Sequence, residues 1–177
     1  MRRRILLCIT TLWLASLPLS RAIAGIPAAY APLVIMASGL PERHEFDLTP
    51  ALQRARRDNK RLYVYLGAAA CPFCRRYELF LTQNAQQLAP HFLAQYLVVD
   101  LRGSLTVRAS ELFIRVGDQS LAYFDFQNSI GDRRTRALVY PNVWLLDLQG
   151  RPLLQMPTGT GTFETVQEQL DVLRLQP

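Results

Sequence analysis

The sequence predicts an α/β domain, and three observations carry that prediction. Two short apolar runs, at 62–66 and 96–101, have the length and the aromatic or β-branched content of buried strands. Stretches with apolar residues at helical spacing flank them. Between the first run and the helix after it stands Cys71-Pro72-Phe73-Cys74, a pair of cysteines two residues apart.

The first residues bear on compartment. Arg2, Arg3 and Arg4 precede an apolar stretch over 5–19, and Ala22-Ile23-Ala24 supplies a small-x-small pattern. Together they predict an export leader over 1–24, cleaved after Ala24. The rival reading, an uncleaved anchor, meets an apolar run shorter than the roughly 20 residues a bilayer span requires. Cys8 lies inside that run rather than at its end, which argues against a lipoprotein. The formal charge of +6 includes Arg2, Arg3, Arg4 and Arg21, so removal of 1–24 leaves +2. That balance gives no basis for nucleic-acid binding. The remaining chain of about 150 residues suits one domain with a single core, and no later segment is apolar enough for stable membrane insertion.

After the leader, residues 25–46 hold Pro27, Pro32 and Pro41 among small residues and read as an extended lead-in to a domain over 47–177. Thr49-Pro50 predicts a helix start, with Thr49 as N-cap and proline at the first helical position. That helix runs to about Lys60, and Arg54, Arg56 and Arg57 read as its solvated face. The strand at 62–66 then leads through Gly67 and three alanines into Cys71, and Cys74, Tyr77 and Leu81 recur at helical spacing. A second helix is expected over 84–95, followed by the strand at 96–101 that Gly103 ends.

Residues 104–138 form an insert in which neither period dominates. Asp132 and the arginines after it read as an exposed loop or helix face. Order returns at Pro141, with a strand over 142–147, a turn through Gly150 and a partner strand over 153–156. Phe163, Val166, Leu170 and Leu173 predict a closing amphipathic helix capped by Thr162.

The chemistry lies in the cysteines. Cys8 leaves with the leader, so Cys71 and Cys74 alone remain. A loop this small gains little of the entropy benefit of a structural cross-link, which points to reactivity. The nucleophile in thiol chemistry is the thiolate, and free cysteine, with a pKa of about 8.5, is mostly protonated at neutral pH. At a helix start, Cys71 meets unpaired N–H groups and the positive dipole end, both of which favour the anion. Pro72 fits the first turn without removing a needed hydrogen bond. Cys71 is therefore the expected nucleophile and Cys74, one turn inside, the resolving thiol. A zinc site would need four ligands, and beyond the leader only His44 and His91 offer nitrogen, neither at paired spacing. No nucleophile–base motif for hydrolysis stands out.

The series of basic helix, buried strand, Cys-Pro-Phe-Cys-Arg-Arg, strand, insert and Pro-Asn-Val-Trp-Leu-Leu-Asp-x-x-Gly hairpin resembles a periplasmic thioredoxin-like protein over about residues 47–175. It looks closest to the thioredoxins associated with bacterial sulfur-oxidation clusters, with 60–76 and 140–150 as the signature stretches and 98–103 as the strand between. The resemblance implies a thioredoxin fold, a central mixed sheet flanked by helices, with the 104–138 insert before the strand that follows a cis-proline. Pro141 matches that cis-proline, facing the dithiol, and Tyr140, Pro141, Pro72 and Phe73 are then the expected substrate contacts.

By the same resemblance the chain is a periplasmic thiol–disulfide oxidoreductase acting on client protein thiols or disulfides. A reductant is implied, fed by an inner-membrane thiol electron transporter, with no organic cofactor because the cysteines carry both electrons. A thiol oxidant or isomerase, and a non-catalytic binding module of the same fold, are the alternatives. Ordinary thioredoxins place tryptophan where this chain has Ala70, and a buried aspartate where it has Tyr65. That acid assists proton removal from the resolving thiol. Glu78, four residues after Cys74, is the substitute on offer, although a solvated glutamate is the simpler expectation. Tyr140 also stands where threonine is more usual.

Overall fold

The computed structural model describes residues 25–132, 137–154 and 164–174. The expected leader with its cleavage point, Arg133 to Arg136, Met156 and the Thr162–Phe163 helix start lie outside the described residues.

The expected central mixed sheet is present, five strands in the order β1-β4-β3-β7-β8. Its middle strand is β3 (Arg61–Ala68), parallel to β4 (Tyr96–Gly103) on one side and antiparallel to β7 (Asn142–Leu146) on the other. Strand β1 (Leu33–Met36) adds in parallel to β4, and β8 (Pro152–Leu154) adds antiparallel to β7. Strand β3 is buried on both faces over nearly all its length, which is why it reads as a continuous apolar run.

One face of β3 presents Tyr63 and Tyr65. Against it lie α2 (Pro72–Gln83), α3 (Ala85–Gln95) and α5 (Val166–Arg174). Tyr63 meets Phe92 of α3 edge-on with ring centroids 4.8 Å apart, and Tyr30 meets the same ring at 4.9 Å. The hydroxyls of this layer are all engaged. Tyr63 donates to Tyr77, Tyr77 donates to Gln169 of α5 at 2.7 Å, and Tyr30 donates to the Leu81 carbonyl at 2.8 Å. Burial of phenols therefore leaves no donor stranded in apolar surroundings.

Helix α1 (Thr49–Arg57) packs across β3 and β4 through Ala51, Leu52 and Ala55. It starts where Thr49-Pro50 predicts, but Thr49 does not cap it. The Asp47 carboxylate accepts the Thr49 N–H at 2.8 Å, while the Thr49 hydroxyl accepts the Gly117 N–H at 2.7 Å and ties α1 to a distant hairpin. Helix α5 is described from Val166. Thr165 caps it by accepting the Glu168 N–H at 3.2 Å, and Glu168 accepts the Thr165 N–H in return at 3.0 Å.

The insert has its own order. Strands β5 (Leu112–Val116) and β6 (Gln119–Ala122) form a hairpin, and α4 (Tyr123–Ser129) follows. Strand β2 (His44–Asp47) pairs with β5 in parallel, giving a second sheet ordered β2-β5-β6. The lead-in is thus extended, and its strands join both sheets. Helix α4 rests on the main sheet, with Phe126 edge-on to Trp144 of β7 at 5.5 Å. Asp132, expected on an exposed loop, is instead buried and accepts the Trp144 indole N–H at 2.9 Å.

Candidate functional site

Strand β3 delivers the chain to Cys71, and α2 starts one residue later with Pro72 at its first position. Cys71 is the N-cap in extended conformation, and its Sγ accepts the Cys74 N–H at 3.1 Å. Cys71 and Cys74 stand at disulfide distance, their Cα atoms 5.2 Å apart. Both are almost wholly buried, whereas Phe73 between them is 47% exposed and Pro72 is exposed beside it.

The Tyr140–Pro141 peptide bond is cis. It brings the Tyr140 carbonyl oxygen to 3.6 Å from Cys71 Sγ. All six expected site residues thus gather at one spot: Cys71 and Cys74, Pro72 and Phe73 as the link between them, and Tyr140 with Pro141 across from Cys71. The Tyr140 side chain faces away from solvent, 8% exposed, with its hydroxyl 3.4 Å from the Ser104 carbonyl it donates to. Burial pushes that phenol up to about 12. Asn142, next along, is fully buried and donates to the Tyr123 hydroxyl at 2.7 Å, fixing the loop to the insert.

Behind the cysteines lies a network that residue types alone do not reveal. Glu78 is 7% exposed, not solvated. It accepts the Tyr65 hydroxyl at 2.9 Å and the Arg75 guanidinium at 2.6 Å. Burial raises the Glu78 carboxyl above its usual range, opposed by the hydrogen bond from Tyr65, the charge of Arg75 and a backbone hydrogen bond from Gly25. The Tyr65 phenol is raised as well, first by burial and then by the Glu78 charge. Arg75 turns back toward the chain before Cys71, donating to the Ala69 carbonyl at 3.2 Å, while Arg76 points outward to Glu164 at 2.9 Å.

A cavity of about 230 Å³ opens beside this network, bordered by Gly25, Tyr65, Arg75, Glu78, Asp100 and Arg102. Tyr65 lies so close over Gly67 that a Cβ there would sit 2.5 Å from the ring, so glycine is required for the phenol to reach Glu78. Asp100 pairs with Tyr65 across the strands and is fully buried. Its Oδ2 accepts the Ile26 N–H and the Arg102 Nε–H, each at 3.1 Å. Burial raises this carboxyl too, against the hydrogen bond and charge of Arg102 and the Ile26 N–H.

The sequence expectation left Glu78 solvated, although its helical spacing from Cys74 and Leu81 is the signal that could have put it on the inward face. Its charge masked that signal, and the pairing of Tyr65 with Asp100 required strand register. Family models searched against the chain give no match, and no curated protein aligns with it.

Proposed function

We propose that the chain is an exported, periplasmic thiol–disulfide oxidoreductase of thioredoxin fold, working chiefly as a reductant of client proteins. The observation that carries this reading is the position of Cys71, at the N-cap of α2, with the Cys74 N–H on its sulfur and the Tyr140 carbonyl beside it. In the reduced chain that N–H and the helix dipole favour the Cys71 thiolate.

The thiolate attacks one sulfur of a client disulfide. A Cys71–client bond forms, the client S–S bond breaks, and the departing thiolate takes a proton from water. Cys74 then attacks Cys71 Sγ, releasing the second client thiolate and leaving the Cys71–Cys74 disulfide. The client gains two electrons and the chain loses two. Glu78, one turn beyond Cys74 on the same helix face, is the buried carboxylate that would receive the Cys74 proton, in the role the resemblance gives to an aspartate at the Tyr65 position. Exposed Phe73 and Pro72, with the backbone at Tyr140 and Pro141, form the client-facing rim. An inner-membrane thiol electron transporter would return the chain to its dithiol state.

The test is the reduction potential of the processed chain in glutathione or dithiothreitol buffers, with Cys71→Ser as control. A reversible couple below about −220 mV is expected for a reductant; one near −120 mV would place the chain among oxidants. The absence of any reversible couple would leave a binding module of the same fold.

A further inference from the structure

The cavity behind the cysteines holds charge in an unusual balance. Glu78 and Asp100 have side chains only 10% and 1% exposed, while the side chains of the arginines paired with them, Arg75 and Arg102, are 39% and 24% exposed. The negative charge is thus the more deeply buried, and burying a carboxylate without full pairing is costly. One atom is left over: Asp100 Oδ1 is buried with no hydrogen-bond partner among the described residues.

The chain enters this cavity as a bare glycine. A Cβ on Gly25 would lie 2.3 Å from Asp100 Oδ2 and 2.9 Å from an Arg102 nitrogen, and the residue sits at φ +145°, a conformation L side chains rarely adopt. Gly25 and Glu78 line the same cavity, and the next N–H, of Ile26, binds Asp100. The two buried carboxylates therefore converge on the residue that follows Ala24.

We infer that this cavity is the binding site for the α-ammonium group of the processed chain, held between Glu78 and Asp100. The inference rests on the export reading, in which hydrolysis adds water across the Ala24–Gly25 bond. The new carboxylate departs with residues 1–24, and the amine remains on Gly25. With an ordinary pKa of about 7.7 to 8.0, that amine takes up a proton at neutral pH. A neutral amide with one N–H becomes a cation with three, supplying a donor for Asp100 Oδ1 and offsetting the buried negative charge. The groups facing it are Glu78 and Arg75 of α2, Tyr65 of β3, and Asp100 and Arg102 of β4. Processing would then change the electrostatics around Glu78, so the cleaved and uncleaved chains differ at the acid behind Cys74.

The experiment uses chain processed by export. Mass spectrometry of the intact protein and its N-terminal peptide is expected to give Gly25 as the first residue. An amine-acylating reagent at neutral pH then has two targets, the α-amine and Lys60, the only lysine in the sequence and so an internal standard. The α-amine should react at least tenfold more slowly in the wild type than in Glu78→Gln or Asp100→Asn. It should also react at least tenfold more slowly than in a chain made with Ala24 retained, which moves the amine outward without altering the core. A first residue other than Gly25 overturns the inference together with the cleavage point. Gly25 first, with an α-amine as reactive as in the Ala24-extended chain, overturns the inference and leaves the export reading standing. The reduction potential tests the redox reading separately.

Discussion

The Tyr65 hydroxyl donates to Glu78 across 2.9 Å, joining the central strand to the helix that carries both cysteines. A strand residue and a helix residue thirteen positions apart thus share one buried proton-bearing contact. Tyr65→Phe keeps the ring over Gly67 but removes the donor, leaving a buried carboxylate oxygen short of a partner. Chemical denaturation should show a loss of about 1–3 kcal/mol, and an unchanged midpoint would mean that the contact does not hold Glu78.

Glu78 also sets a pH dependence whose sign follows from burial. Its carboxyl lies above the ordinary 4.5, so the folded chain keeps the proton to higher pH than the unfolded chain does. The contribution of Glu78 therefore falls as pH rises from 4.5 through the folded pKa, and recovers on acidification through the same window. Measured against Glu78→Gln, the wild type should gain stability as pH is lowered from neutrality toward that value. A constant difference between the two proteins across the range would remove burial as the dominant influence.

The two cysteines should behave unequally. With Cys71 at the helix start and Cys74 inside it, Cys74→Ser is expected to accumulate a mixed disulfide with glutathione. Its alkylation by iodoacetamide should titrate below the usual pKa of about 8.5. Cys71→Ser should do neither, and equal behaviour of the two variants would reverse or erase the assignment of roles.

Phe73 offers a separation of surface from core. It is half exposed, so Phe73→Ala should shift stability by no more than about 0.5 kcal/mol. The rate of disulfide exchange with a folded protein client should fall severalfold, while the rate with a small-molecule disulfide holds. A loss on both clients would assign Phe73 to the architecture of the motif rather than to its rim.

Trp144 joins the insert to the sheet by its indole N–H to Asp132 and its ring contacts with Tyr123 and Phe126. Trp144→Phe loses the hydrogen bond and should cost about 1–3 kcal/mol. Amide protection in Tyr123–Ser129 should fall before that in Arg61–Ala68. Uniform loss across both would show the insert and sheet to open as one unit.

The strand, the cysteine pair and the helix after it were legible because their signals are local: an apolar run, a pair of cysteines two residues apart, a proline at a helix start. Pro141 was assigned through the resemblance, with which its place ahead of an apolar strand agrees. The network behind the cysteines was not, because its members come from separate elements. Glu78 follows the helical period of Cys74 and Leu81, yet a lone glutamate ordinarily seeks solvent. Strand β1 gave an apolar run but nothing to identify a partner 66 residues later along β4. Strand β2 stayed unread for the same reason, since its partner β5 lies in the insert, about 70 residues on. Thr49 shows the limit most simply: its hydroxyl serves Gly117 rather than its own helix, a choice that only tertiary structure offers.

The placement of β1 has a consequence for how the molecule opens. It lies at the rim of the sheet, bonded along one side only, with Met36 64% exposed and also bordering the cavity. Detaching it leaves β4-β3-β7-β8 continuous, so this rim can fray in a sub-global excursion while the middle of the sheet stays shut. Such an excursion would hydrate Asp100 and Glu78 from the side away from the cysteines, giving the buried carboxylates an exchange route with bulk protons that does not pass through the client-facing surface.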